Sequence, residues 1–125
     1  MRRSRLRFLS AAQGRLFKEY LVGDRIYSCS HCGSHSADHQ YLISKDFQGR
    51  LGRAYLFSEV VNVSLGQKEE RMFMTGLHTV RDARCSTCGA LLGWKYEISH
   101  EAAQKYKEGK YILEKQQLVR EEGSW

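Results

Sequence analysis

Cys29-Ser30-His31-Cys32-Gly33 and Cys85-Ser86-Thr87-Cys88-Gly89 are two copies of Cys-x-x-Cys-Gly, and together they hold all four cysteines of a 125-residue chain. A Cys-x-x-Cys turn aims two thiolates at one point, and two such turns close a tetrahedron around Zn²⁺ at about 2.3 Å per Zn–S bond. The glycine after each second cysteine suits a backbone that turns with positive φ while its N–H groups face the sulfurs. Cys29, Cys32, Cys85 and Cys88 therefore read as one structural zinc site. Four thiolates fill the coordination shell, whereas a catalytic zinc keeps one position open, so the metal is expected to hold the fold and not to react. A thioredoxin-like redox pair would want a cis-proline nearby, and the chain has no proline. Two disulfides would suit a small secreted domain, and no secretory signal is visible.

A chain of this length, 42% hydrophobic, suits one globular domain with a core of its own. No apolar run approaches the ~20 residues of a membrane span, so a soluble protein is expected. Cysteines reserved for zinc fit a reducing compartment, cytosol or nucleus. The net charge of +6 is unevenly placed: six of the 20 basic residues precede Glu19, and the remaining 14 match the 14 acids. A basic stripe for nucleic acid is thus absent outside the beginning of the chain. Residues 1–13, acid-free and rich in arginine, read as a basic disordered extension. A nuclear-import or anion-contacting segment and an organelle transit peptide are the alternatives.

Along the rest, 14–21 and 25–28 read as short strands, with the second delivering the chain into the first knuckle. Residues 34–44 read as a helical turn or irregular, and 45–52, with Gly49 and Gly52, as a surface loop. The apolar run 53–63 is the strongest strand, 66–70 a turn, and 71–80 the antiparallel partner of 53–63. Strands follow at 90–98 and 111–118. Between them a short helix spans 99–107, capped by Ser99. The expectation is an all-β domain over 14–119, with zinc where two sheets meet and a flexible tail over 120–125.

The spacing Cys29-x₂-Cys32 … Cys85-x₂-Cys88-x₄-Gly93-Trp94 resembles the Yippee (Yippee-like) zinc-binding proteins. So do Gly52-Arg53-Ala54-Tyr55-Leu56-Phe57, Asn62, Thr75-Gly76-Leu77-His78-Thr79-Val80 and Gln104-Lys105-Tyr106-Lys107-Glu108-Gly109-Lys110. The resemblance implies a β-tent, two antiparallel sheets meeting at a steep angle and pinned by the Cys₄ zinc. That fold is shared with the thalidomide-binding domain of cereblon, Mis18 and zinc-bearing methionine sulfoxide reductases. It also implies residence in nucleus and cytoplasm, links to cell division, and association of some members with a ubiquitin-ligase assembly. The reductases need a fifth cysteine, which is absent here. Gly93-Trp94-Lys95-Tyr96 resembles one wall of the cereblon ligand cage, while residues 75–84 lack the tryptophans of the others. What the resemblance leaves is a modified groove lined by Trp94, Tyr96, His78 and Phe47.

Two readings of that aromatic set stand side by side: Trp94 packs over the zinc knuckle with Tyr96 on the sheet, or the pair recognises a partner or ligand. His78 and Asp82 lie four apart, which a strand does not bring together, so no catalytic pair is expected and the protein reads as a non-enzyme. His31, His35 and His39 read as residues around the knuckle, outside the ligand set. The charged run 104–110 reads as a solvated face or a docking surface. The function expected is that of a zinc-stabilised protein-interaction module. The alternatives are a nucleic-acid-binding zinc domain and a reader of a small ligand or modified residue.

Overall fold

The computed structural model describes residues 5–9 and 17–120, with side chains from Lys18 onward. Eleven strands run through these residues: β1 Arg5–Leu9, β2 Phe17–Leu21, β3 Ile26–Cys29, β4 His35–Asp38, β5 Leu42–Gly49, β6 Gly52–Phe57, β7 Val63–Phe73, β8 Gly76–Cys85, β9 Leu91–Ser99, β10 Tyr111–Glu114 and β11 Leu118–Arg120. A six-stranded antiparallel sheet has the order β5-β6-β10-β9-β8-β7, and a three-stranded one the order β11-β3-β4. β1 and β2 form a separate antiparallel pair. The fold is β-dominated, as expected. Among the described residues no helix is long and apolar enough to cross a membrane.

The central strands of the large sheet are buried on both faces, and the alternation along β6 makes this plain. Tyr55 and Phe57 join a core with Tyr27, Cys29, Ala37, Cys85, Leu92 and Leu113, which fills the space under the three-stranded sheet. Ala54 and Leu56 point the other way, into a second core with Val80, Trp94, Tyr96 and Ile112. Successive strand residues face opposite sides, so a run apolar at every position signals this double burial. Leu56, Phe57 and Leu113 are fully buried, each stabilising by about 1.5–3 kcal/mol. A register shift between Ala83 and Arg84 in the β8–β9 pair sends Leu92 and Trp94, two residues apart, into different cores.

Several local expectations give way to tertiary effects. Residues 45–52 are not a loop: β5 runs to Gly49 and turns into β6 at Arg50-Leu51. The carboxylate of Glu114 accepts the N–H groups of Arg50 (3.1 Å) and Leu51 (2.8 Å), so a residue distant in sequence closes this turn. Residues 34–44 hold β4, a 3₁₀ turn over His39–Tyr41 and the start of β5. The long strand expected over 53–63 ends at Phe57. Asn62 takes a left-handed φ of 56° where the chain leaves one sheet region for β7. β6 pairs with β5 and β10, and residues 71–80 belong to a different hairpin, β7–β8. The turn expected at 66–70 is instead a bulge inside β7, between Leu65 and Lys68, where Gly66 marks the extra residue.

The expected helix over 99–107 is a 3₁₀ helix, Ala102–Lys107, with no side-chain cap. Ser99 stays in β9, and its N–H donates to the Glu108 carboxylate at 2.9 Å. The strand expected over 111–118 breaks at a 3₁₀ turn, Lys115–Gln117, which lets β11 cross to the other sheet and pair with β3. Within the basic extension, Arg5–Leu9 is a strand paired with β2, in keeping with the alternation of Arg5, Leu6, Arg7 and Phe8. Residues 1–4, 10–16 and 121–125, with the parts of the extension and of the tail that fall there, lie outside the described residues.

Gly93 is the tightest point of the large sheet: a Cβ built there collides with the Ile112 carbonyl oxygen of β10. Gly93→Ala should therefore lower unfolding stability by roughly 3 kcal/mol through overpacking, while Gly33→Ala and Gly89→Ala, with open space around them, should cost only their positive-φ strain. Urea unfolding of the three variants checks this ranking, and an unperturbed Gly93→Ala would contradict it.

Candidate metal centre and aromatic groove

Cys29 ends β3 in the small sheet and Cys85 ends β8 in the large one, so each sheet sends one knuckle to a common point. The two knuckles repeat each other in detail. Cys29 N–H donates to Ser34 O and Gly33 N–H to Cys29 O, and Cys85 N–H to Ala90 O and Gly89 N–H to Cys85 O, all four at 2.8 Å. Gly33 and Gly89 have φ of 80° and 82°. Even the next contact is matched, with Ser30 N–H donating to Gln117 O and Ser86 N–H to Asn62 O, both at 2.9 Å.

The four Sγ atoms lie within 4.8 Å of one another, with Cys29–Cys88 at 3.7 Å and Cys32–Cys85 at 3.6 Å. A regular ZnS₄ tetrahedron has S···S edges of about 3.8 Å. The four thiols are thus placed to hold one zinc ion. Cys29 and Cys85 are buried in the first core, whereas Cys32 and Cys88 are exposed, so the site sits at the rim where the sheets meet.

Burial opposes thiolate charge at two of the cysteines, and hydrogen bonds favour it at a third. Burial pushes the Cys29 thiol up to about 12, against the backbone N–H groups of His31 and Cys32 that favour its thiolate. Burial also raises Cys85, opposed by the N–H groups of Cys88 and Thr87. At Cys32 burial is outweighed by the Ser34 hydroxyl and N–H, with the Cys85 and Cys88 thiols, and the thiol falls to about 6. Metal binding must then expel protons, above all from Cys29.

Residues not singled out in the sequence brace this centre. The Ser34 hydroxyl lies 3.3 Å from Cys32 Sγ and 2.9 Å from Thr87 Oγ1, tying the knuckles together. Gln117 donates to Leu91 O at 2.7 Å, and its Oε1 lies 3.2 Å from His31 Nε2. The Asn62 side chain accepts from Glu19 N–H and donates to Glu19 O and His35 O, all at 2.8 Å. His35 Nδ1 accepts the Leu21 N–H at 2.8 Å, and His39 faces the Tyr27 hydroxyl at 3.2 Å. None of the three histidines joins the thiols. Among Ser34, Thr87, Gln117 and Asn62, only Asn62 left a trace in the sequence, through the family resemblance.

The aromatic set lies across the large sheet from the metal, so Trp94 does not pack over a knuckle. Trp94 stacks on Phe73 (centroids 5.5 Å, interplanar 18°) and meets Tyr96 edge-on at 6.3 Å. With Phe47 these rings line a groove of about 520 Å³ between β5, the β7–β8 turn and the 3₁₀ helix. His78 is not on its wall. It is fully buried, behind Phe73 and Tyr96 at 5.4 and 5.1 Å. Its Nδ1 lies 2.9 Å from Gly76 O, which as an acceptor assigns the Nδ1–H tautomer. Asp82 accepts from Arg71 at 2.7 Å, so the two residues are engaged separately, as strand spacing implied.

Phe73, Tyr106 and Lys107 complete the groove and were not foreseen. Lys107, read as part of a solvated face, is only 3% exposed. Its Nζ sits over the rings of Phe47, Tyr96 and Tyr106 at 5.2, 5.4 and 5.9 Å. Buried lysines are rare enough that no local pattern announces one. Phe73 lies between the exposed Met72 and Met74, and since all three are apolar, no alternation in the sequence marks which one turns inward.

Residues 25–122 match the family model described as "Yippee zinc-binding/DNA-binding /Mis18, centromere assembly". The chain is 54% identical over 111 residues to a protein yippee-like from Solanum tuberosum, covering 89% of this chain and 85% of that one. It is 55% identical over 108 residues to the human protein yippee-like 3, covering 86% and 91%. The Mis18 "Yippee-like" domain superposes with a TM-score of 0.64 at 15% identity, over 82% of this chain and 100% of that domain.

Two outcomes follow from this geometry. Purified protein should carry one zinc per chain, and Cys29→Ser or Cys85→Ser should abolish metal binding and cost on the order of 10 kcal/mol of folding free energy; a melting curve unchanged by metal removal would contradict it. Burial, partly countered by the Gly76 carbonyl, lowers the His78 pKa, so the unfolded chain takes up a proton that the folded chain refuses. Its contribution to stability is complete above the ordinary histidine value of about 6.5 and drains away as pH falls. NMR titration should show the His78 imidazole neutral at pH 6.5, with Nδ1 protonated.

Proposed function

The chain belongs to the Yippee family, and we propose that it acts within that family as a zinc-pinned, non-enzymatic protein-interaction module whose partner enters the aromatic groove. The observation that carries this reading is a preformed wall of Phe47, Phe73, Trp94 and Tyr96 beside the fully exposed Met74. Rigid aromatics supply contact area at little entropic cost, and a flexible methionine adapts at the rim. Against catalysis stand a thiolate set that would fill the zinc shell and the separate engagement of His78 and Asp82.

The finer setting rests on kinship. A link to cell division is supported by the words "centromere assembly" in the family description. Work in nucleus and cytoplasm and docking to a ubiquitin-ligase assembly are supported by the resemblance alone. Nucleic-acid binding, supported by "DNA-binding" in the same description, is the second reading. The even balance of 14 bases and 14 acids from Glu19 onward disfavours it.

Capture from cell extract with wild type beside Met74→Asp, a change on an exposed side chain that should leave zinc content and melting intact, tests the interaction reading. Proteins lost with Met74→Asp that rebind wild type as purified components support it. Identical retention by both forms, or retention of nucleic acid alone, released by salt, would overturn it.

A further inference from the structure

Lys107 occupies the aromatic cage of the groove. Among the described residues its Nζ has one hydrogen-bond partner, Thr75 Oγ1 at 3.3 Å, although an ammonium carries three donors. Among the described residues no carboxylate lies within ion-pair distance of it. Asp46, the one acid on the groove's wall, is turned to solvent and faces Arg53 at 3.8 Å. Glu108, the next residue, is engaged by Ser99 N–H and by Lys105 Nζ.

Three ring faces offset part of the cost of burying this charge, and the desolvation that remains lowers the lysine's pKa. Nearby, the buried Nε1–H of Trp94 has no close acceptor among the described residues and is directed at the Tyr96 hydroxyl. That contact favours the Tyr96 phenolate, but burial outweighs it and pushes the phenol up to about 12. The groove thus offers an ammonium over apolar rings, and the carboxylate on its wall, Asp46, is turned away toward Arg53.

We propose that the groove receives an acidic side chain, Asp or Glu, of a partner peptide, with its carboxylate paired to Lys107 Nζ and a flanking apolar residue against Phe73 and Trp94. This rests on the interaction reading above and names the chemistry of the partner. A cationic ligand, such as a methylated lysine, is disfavoured because the chain's own ammonium already fills the cage. Pairing satisfies a buried cation with a charge-assisted hydrogen bond, about twice as strong as a neutral one.

The test uses full-length, zinc-loaded protein carrying Trp125→Phe, so that Trp94 is the sole tryptophan. Its fluorescence is titrated with blocked Gly-Phe-Glu-Phe-Gly, with the same peptide bearing Gln for Glu, and with one bearing trimethyl-lysine. The Glu peptide should saturate at least about tenfold more tightly than the Gln peptide, weaken as salt is raised, and lose that advantage in Lys107→Met, which keeps the stem and removes the charge. Unchanged zinc content and melting in Lys107→Met exclude unfolding as the cause, and Lys107→Arg should retain the preference for Glu if that variant is needed. Equal binding of Glu and Gln peptides, tighter binding of trimethyl-lysine, or a flat titration at millimolar peptide overturns the proposal. If Lys107→Met still captures the partners that Met74→Asp loses, the carboxylate assignment fails while the interaction reading stands.

Discussion

Convergence of four thiols from two distant turns is the constraint on which the architecture depends. β3 and β8 belong to different sheets, and their last residues, Cys29 and Cys85, are where those sheets come together. Two thiols sit in the first core and two at the surface, so an ion there would clamp the packed interior to its rim. Backbone N–H groups turned toward Cys29 and Cys85, and the Ser34–Thr87 contact, prepare the site for charge that burial alone would resist.

Double burial of the central strands of the large sheet then separates two tasks. One face meets the small sheet and ends at the thiols; the other carries Trp94, Tyr96, Phe47 and Phe73. Because β6 and β10 contribute alternate residues to both faces, the groove inherits the rigidity of the metal-pinned core without touching it. The shift at Leu92 is what permits this, since an uninterrupted β9 would put Leu92 and Trp94 on the same side. A recognition surface benefits from such rigidity, because little order remains to be imposed when a partner arrives.

Much of this was legible in the residues. Cys-x-x-Cys-Gly, twice, determined the metal ligands and the positive-φ glycines, since local turn geometry sets both. Strand content followed from the apolar runs, but pairing did not. The run 53–63 looked like one strand with 71–80 beside it, whereas β6 ends at Phe57 and pairs with β5 and β10. Pairing depends on which distant strands share a register, and nothing within Arg53–Phe57 encodes the identity of Ile112 or Leu113 as neighbours.

The sequence by itself determined a β-dominated zinc domain, because ligand spacing and hydrophobic runs are short-range properties that survive without knowledge of the whole. Only the tertiary structure decided that Glu114 would close the turn at Arg50-Leu51, that His78 would be buried behind the groove, and that Lys107 would lie under three aromatic rings. Each of these joins residues from separate elements of the fold, and the burial that gives Lys107 its altered chemistry exists only once β5, β9 and the 3₁₀ helix have come together.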